Sequence, residues 1–229
     1  MLNRIVALKW CAFVDRWTTL SAACLLFFVS VIPVAQAQQL QVTVLDRDGV
    51  GVPNVVVYVA GLNTTVKPLE TALVVDQVEL DFQPHLSIVP VGSGVVFPNS
   101  DPIAHHVYSF SRPNDFVLPL YKGETHAPVV FDEPGVVTLG CNIHDGMVGY
   151  VAVVDSNSYG LTNADGMINL NVPSGAGSDT QIRIWSPRIR EKADQLTAPM
   201  SDSGVVFQMT RKLRPAHKSA AGKALWENY

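Results

Sequence analysis

The sequence has few charged residues and few cysteines. Only 16% of its 229 residues are charged, whereas 48% are hydrophobic, and there are 3 cysteines. A chain this apolar can bury a core, so its composition argues against disorder. No low-complexity tract or fixed-period repeat is present, which excludes collagen, coiled coils and tandem arrays. The formal net charge of −4 gives no global basic surface, and we do not expect nucleic-acid binding.

The first 37 residues have the pattern of an export signal. Basic residues precede an uncharged apolar run over 20–34, which is followed by the small-residue pattern Ala35-Gln36-Ala37. The sequence therefore predicts a mature protein that begins near Gln38 and is exported, to the periplasm if the host is a Gram-negative bacterium. The alternative is an uncleaved membrane anchor, because a span needs about 20 apolar residues.

Cleavage at this point leaves one cysteine, Cys141, which cannot form an internal disulfide. An unpaired cysteine in an oxidising compartment has three explanations. It pairs with another chain, it is an inert buried thiol, or it binds a metal as a thiolate.

Short β-branched and apolar runs follow one another from Val42 to Met209, separated by Gly, Pro, Asn and Asp. This pattern is typical of antiparallel sandwiches, and no stretch has a sustained helical period. The sequence therefore predicts an all-β fold. The mature chain is larger than one sandwich of roughly 100 residues, so we expect two β units. A small helix is conceivable only in the basic tail 211–229, which we interpret as a solvated terminus.

The residues that can perform chemistry lie in one short segment, in which Cys141, His144 and Met147 supply a thiolate, an imidazole and a thioether. Copper is the metal that binds best to two imidazoles, a thiolate and a weak axial methionine. The second histidine must come from elsewhere in the chain. A histidine pair, His105 and His106, follows a proline-containing turn at the start of a predicted strand.

The segment from Phe131 through Pro134-Gly135 to Cys141, followed by His144, Met147 and Gly149, resembles the copper-binding signature of the cupredoxins, the plastocyanin and azurin superfamily. The Cys-x2-His-x2-Met spacing is the short form found in amicyanins. The resemblance covers about 75–155 and implies a Greek-key β-sandwich. Similar exported proteins are often described as methylamine utilisation proteins, although nothing in this sequence indicates that pathway.

The resemblance implies one type 1 copper ion per chain. His105, Cys141 and His144 would be its equatorial ligands and Met147 the axial ligand, with Asn99 and His106 around them. His106 stands where cupredoxins usually have a small polar residue that hydrogen-bonds to the ligand loop. Asp145 stands where many relatives have proline, beside the edge of His144 through which electrons would leave.

Other readings of these residues remain open. His106 could be the ligand instead of His105, both could be ordinary strand histidines, and Met147 could be a core residue. We interpret His85 and His126 as surface or hydrogen-bonded side chains, since a lone histidine is seldom a ligand. His217 is assigned to the tail.

The sequences flanking the cupredoxin-like segment resemble the opening and later strands of a carboxypeptidase-regulatory-like, transthyretin-type sandwich, at 41–57 and 162–173. We therefore predict five segments: the signal 1–37, strands of a second sandwich at 38–68, the cupredoxin domain 69–155, further strands of the second sandwich at 156–210, and the basic tail 211–229. The simpler alternative is that both flanks extend the cupredoxin sheets.

A copper ion held by four protein ligands has no open position for a substrate, so we expect electron transfer rather than catalysis. The partners would be transient redox proteins, with a membrane involved only if the signal stays uncleaved. Oxidases and nitrite reductases need further histidine-rich copper sites, which this sequence lacks. Two alternatives are a copper-delivery module and an interaction sandwich with a vestigial copper site.

Overall fold

The computed structural model describes residues 38–62, 64–123, 126–173, 176, 179–191, 195–201 and 203–218. The predicted signal segment 1–37 and the last residues of the predicted tail, 219–229, lie outside them. Every regular element of the described residues is a β-strand, which confirms the predicted all-β class. Within these residues no helix of the length and apolarity required to cross a membrane occurs.

The described chain has strands that we number in chain order: β1 (Gln38–Leu45), β2 (Val56–Ala60), β3 (Leu73–Val74), β4 (Asp76–Val78), β5 (Asp81–Gln83), β6 (Leu86–Pro90), β7 (Ser93–Val96), β8 (Tyr108–Ser109), β9 (Phe116–Val117), β10 (Val129–Phe131), β11 (Gly135–Gly140), β12 (Val148–Val154), β13 (Tyr159–Leu161), β14 (Met167–Val172), β15 (Gln181–Trp185), β16 (Leu196–Pro199) and β17 (Val205–Gln208).

Two sheets are built entirely from the flanking segments. β1 lies between β14 and β17, and β2 lies between β13 and β15, with β16 at the far edge. Alternate residues of β1 point inward, and Leu40, Val42 and Val44 pack with Ile182 and Ile184 of β15 in one hydrophobic core. We call these two sheets the flanking sandwich. The chain positions at which one domain ends and the other begins stay a prediction.

The middle of the chain forms a five-stranded sheet in the order β6-β12-β11-β8-β9, a three-stranded sheet in the order β10-β7-β3, and the β4–β5 hairpin. We call this part the copper sandwich, after its predicted ligand. Its core is a separate cluster of buried side chains that includes Phe82, Leu139, Cys141 and Met147. Two of the predicted ligands therefore belong to the core of this sandwich.

The two sandwiches share a third cluster of buried side chains. β2 is buried along its whole length, because Val57 and Val59 face the flanking core while Val56, Tyr58 and Ala60 face the third cluster. That cluster also contains residues of β6 and β12. A strand that is buried on both faces needs a continuous apolar run rather than an alternating one, and the run at 55–60 has that form.

The sequence predicts antiparallel pairing, and the structure differs in three strand pairs. β1 with β17, β3 with β7, and β6 with β12 are parallel. Parallel neighbours need a long crossover connection, which here is supplied by the strands that lie between them in the chain. Local alternation of residues does not reveal such pairs.

The described part of the predicted tail is not a free terminus, and it contains no helix. Leu213 packs against the core of the flanking sandwich, and the backbone N–H of Arg214 donates to the carbonyl of Arg188 at 2.8 Å. The chain then passes along the copper sandwich, where His217 reaches Asp81 and His85. Residues 211–218 therefore lie against both sandwiches, although none of them is buried and most are exposed.

Candidate metal centre

His105 is held in place by backbone pairing with Tyr121. Each residue's N–H donates to the other's carbonyl, at 2.9 and 3.0 Å, in an isolated antiparallel bridge. The Tyr121 hydroxyl in turn donates to the carbonyl of Phe97. Burial raises the pKa of Tyr121 to about 12, so the hydroxyl keeps its proton at neutral pH. This buried pairing fixes the backbone of His105 under the ligand loop.

Cys141, His144 and Met147 lie in the loop between β11 and β12. The loop closes on itself, because the N–H of Cys141 donates to the carbonyl of Met147 and the N–H of Met147 donates to that of His144, both at 3.3 Å. Gly146 has a φ of 85°, a left-handed conformation that glycine adopts without strain. The tight turn that closes this loop thus depends on the glycine directly before Met147.

The structure brings three predicted ligands together. The Nδ1 atoms of His105 and His144 are 3.1 Å apart, and they lie 3.9 and 3.6 Å respectively from the Sγ atom of Cys141. Donors about 2.0 to 2.3 Å from one metal ion, arranged in a trigonal plane, lie roughly 3.6 Å from one another. The donor set and its spacing therefore fit a copper ion.

Met147 is buried, with 2% of its surface exposed, and it belongs to the same core cluster as Cys141. Gly149, two residues further on, leaves space for the ring of Phe82, since a Cβ at this position would lie 2.8 Å from a side-chain atom of that phenylalanine. Phe82 and Met147 are both among the largest fully buried side chains. Met147 therefore lies in the packed core of this sandwich, in the same cluster as Phe82 and Cys141.

Asp101 orients His105, a role that the sequence reasoning did not assign to it. Its Oδ2 atom lies 2.7 Å from Nε2 of His105. Burial alone would raise the pKa of this carboxyl, but hydrogen bonds from Leu80, His105 and Glu79 outweigh it and lower the pKa. An ionised carboxylate only accepts, so Nε2 of His105 carries the proton and the lone pair on Nδ1 faces Cys141 and His144.

The same carboxylate holds the turn of the β4–β5 hairpin. Glu79 and Leu80 have positive φ angles of 54° and 64°, and their N–H groups donate to Asp101 at 2.7 and 2.9 Å. Two successive positive φ angles define a type I′ turn, which is costly for leucine. The sequence did contain one signal for the role of Asp101, because this carboxylate lies four residues before His105 in the same loop.

Asn99 and His106 differ in what they do in the structure. The Asn99 side chain donates to the carbonyls of Ile103 and Tyr121, both at 3.0 Å, and accepts from the N–H of Asp101, so it organises the loop that ends at His105. The ring of His106 packs beside Tyr108. Its buried Nδ1 atom has no hydrogen-bond partner among the described residues. Within the described chain, His106 therefore makes no hydrogen bond to the ligand loop through its Nδ1 atom.

Three remaining histidines lie away from these donors. His126 packs edge-on against Tyr121. His85 is buried and stacks on His217, with ring centroids 4.1 Å apart. Burial, and secondarily the charge of His217, lower the pKa of His85 to about 3, so its imidazole is neutral at neutral pH. Of the two roles predicted for His85, surface or hydrogen-bonded, the structure shows a buried side chain with a hydrogen bond to the backbone of Val148.

No protein-family model matches this chain, and no curated protein matches it. Several solved structures are similar to part of it. A copper-containing nitrite reductase from Thermus scotoductus is 28% identical over 41% of this chain and 25% of its own, with a TM-score of 0.35. A reduced amicyanin variant is 24% identical over 39% of this chain and 97% of its own, with a TM-score of 0.34.

A purple cupredoxin from Nitrosopumilus maritimus is 26% identical over 37% of this chain and all of its own, with a TM-score of 0.32. The chain thus spans about a quarter of the nitrite reductase and nearly the full length of the two small copper proteins. Each of the three similarities covers less than half of this chain.

Proposed function

We propose that this protein is an exported electron carrier with one type 1 copper ion per chain, bound by His105, Cys141 and His144 with Met147 as the axial ligand. The observation that carries the proposal is the convergence of the three nitrogen and sulfur donors within 3.1 to 3.9 Å of one another. Copper bound there would supply one-electron cycling between Cu(I) and Cu(II).

The protein's own residues favour this chemistry over catalysis. His105 is fully buried, Cys141 and Met147 are nearly so, and Asp101 fixes the orientation of one imidazole. Ligands held this firmly would move little between the Cu(I) and Cu(II) states. The energy needed to rearrange them during electron transfer would therefore be low. A buried four-donor set also leaves no position at which a substrate could bind.

The two imidazoles differ in exposure, and this difference provides a route for electrons. His105 is fully buried, whereas His144 is partly exposed and is followed by the exposed Asp145. Ile143, on the other side of His144, is 50% exposed. A partner that docks over His144 would meet an apolar side chain and a carboxylate, a combination suited to weak and short-lived redox encounters. We propose transient redox proteins of the compartment outside the inner membrane as partners.

The test is a visible and electron paramagnetic resonance spectrum of the exported protein loaded with Cu(II), then reduced and reoxidised. We expect an intense blue or green absorption that bleaches on reduction and returns on oxidation without loss of metal. Metal that exchanges freely on reduction would support a delivery module instead. A protein that stays colourless with Cu(II) would contradict the proposal.

Variants separate the ligands from their neighbours. Cys141→Ser should abolish the thiolate-to-copper charge-transfer colour, because the thiolate is its source. Met147→Leu should keep the colour and shift the potential. His105→Gln should lose the colour, and the matched variant His106→Gln should keep it. The reverse result for the two histidines would assign the ligand to His106.

A further inference from the structure

We infer that Asp81, His85 and His217 form a second metal site, separate from the copper site, for a divalent first-row transition metal ion of which Zn²⁺ is the simplest probe. Each residue offers one donor atom, and the three donor atoms lie within 4.8 Å of one another. Two imidazoles and one carboxylate are a donor set that Zn²⁺ and other first-row divalent ions accept.

The three donors come from different parts of the chain. Asp81 begins β5, and His85 directly precedes β6 in the copper sandwich. His217 comes from the C-terminal segment that crosses from the flanking sandwich, where Leu213 is packed. The site therefore exists only once this segment lies against the copper sandwich, and no local motif encodes it.

Burial favours a ligand role for the carboxylate and for His85. The Asp81 side chain is fully buried, with its Oδ2 atom 3.2 Å from Nε2 of His217 and its Oδ1 atom accepting from the N–H of Phe82. The imidazole of His85 is 5% exposed, and its donor nitrogen lies within 4.8 Å of the donor atoms of Asp81 and His217. Burying the charge of a carboxylate is costly unless it is paired. A cation bound between this carboxylate and the two imidazoles would offset that cost.

The His217 ring is the part that must move. It stacks on His85 with an angle of 14° between the ring planes, and it hydrogen-bonds to Asp81. A metal ion shared by the three residues would replace that hydrogen bond, and the ring would turn out of the stack to aim its lone pair at the ion. His217 is the most exposed of the three side chains, so this rotation is sterically the least restricted.

A cavity of about 470 Å³ adjoins two of the donors and offers a path from solvent. Its lining includes His85, His217 and three cationic side chains, those of Arg188, Arg214 and Lys218. Three protein donors leave a coordination position open. The cationic lining favours an anion, such as chloride or a carboxylate, as the ligand that completes the coordination and offsets the charge of the metal ion.

The experiment is a Zn²⁺ titration by equilibrium dialysis, in chloride buffer, of the chain carrying Cys141→Ser and His144→Gln. These changes remove two donors of the copper site, so the binding that remains is independent of the proposed electron-transfer function. We expect one equivalent of Zn²⁺, and one equivalent of Co²⁺ with visible d–d absorption bands. The same Zn²⁺ titration of the wild-type protein with its copper site filled should also give one equivalent.

His217→Phe is the decisive variant, since it keeps an aromatic ring against His85 but removes the donor. We expect it to weaken Zn²⁺ binding by at least about tenfold, and Asp81→Asn to do the same. The matched controls Asp115→Asn, at an exposed carboxylate, and His126→Gln should not change the affinity. Absence of stoichiometric Zn²⁺ binding, or equal affinity with and without His217→Phe, would overturn the site and leave His217 as an anchor for the C-terminal segment.

Discussion

The copper sandwich and the flanking sandwich have opposite charge. Residues 69–155 contain 11 acidic and 2 basic residues, whereas 38–68 and 156–229 together contain 8 acidic and 11 basic residues. The overall net charge hides this division. Because the proposed electron exit lies on the acidic part, a partner that approaches His144 meets a negative field, which favours positively charged partners and makes association depend on salt.

The two sandwiches also differ in what their interiors contain. The flanking core consists of aliphatic side chains together with Phe207 and Met209, whereas the core of the copper sandwich includes the thiol of Cys141 and the thioether of Met147. One core therefore only stabilises the fold, while the other also positions donors. Matched substitutions in the two cores should therefore lower the free energy of unfolding by similar amounts. Only those in the core of the copper sandwich should change the properties of the metal centre.

Paired core truncations test this difference most strongly. Leu139 in β11 and Ile182 in β15 are both fully buried. Leu139→Ala and Ile182→Ala should each lower the free energy of unfolding by about 2–5 kcal/mol, as measured by urea denaturation. Only Leu139→Ala should alter the visible spectrum of the copper-loaded protein, because β11 leads directly to Cys141. An equal spectral change from Ile182→Ala would mean that the cores do not act separately.

Removing the carboxylate charge beside His105 should weaken metal binding. Asp101→Asn leaves a side chain of the same shape that holds His105 less firmly, and we expect copper affinity to fall by about 10- to 100-fold. Competition with a chelator measures the affinity. Asp115→Asn, at an exposed position of the same sandwich, is the control and should not change it. Unchanged affinity in Asp101→Asn would remove Asp101 from the site.

Acid should destabilise the protein through His85. Its folded-state pKa of about 3 is below the ordinary value of 6.5, so between these values the unfolded chain takes up a proton that the folded chain does not. Stability is therefore lost as pH falls below 6.5, by about 2 kcal/mol at pH 5. Urea denaturation without added metal should show a shallower pH dependence for His85→Phe than for the wild type. Equal slopes would contradict this assignment.

The smallest predicted effect concerns the surface charge beside His144. Asp145→Asn should slow electron transfer to a cationic inorganic oxidant by about twofold at low salt, and added salt should remove the difference. The return of the copper colour on oxidation, followed by stopped flow, measures the rate. Asp165→Asn removes the same charge from the flanking sandwich and should leave the rate unchanged. A slower rate in that variant would show that only total charge matters.

Much of the candidate site could be predicted because it is local in sequence. Cys141, His144 and Met147 lie in one loop, where residue type and spacing carry the information. His105 could be placed only through the resemblance to cupredoxins, yet its Nδ1 atom lies with the other donors. Asp101 was missed because its role depends on a turn at 79–80 that folds over the same loop.

The remaining differences arise from contacts between distant segments. The run at 55–60 predicts a strand, but the sequence does not explain why the run is continuously apolar. The structure explains it, because one face of the strand packs on the flanking core and the other face packs on the shared cluster. His217 could not be assigned because its neighbours Asp81 and His85 lie far away in the chain. Parallel pairs such as β6 with β12 are hidden for the same reason.

By itself, the sequence determined the all-β class and the short loop that carries three candidate ligands, since alternation, turn residues and donor spacing act over a few residues. Tertiary structure alone decided the proton position on His105, the burial of β2 on both faces, and the meeting of Asp81, His85 and His217. Each of these depends on side chains brought together by packing, and packing energy is a property of surfaces in contact rather than of neighbouring positions in a chain.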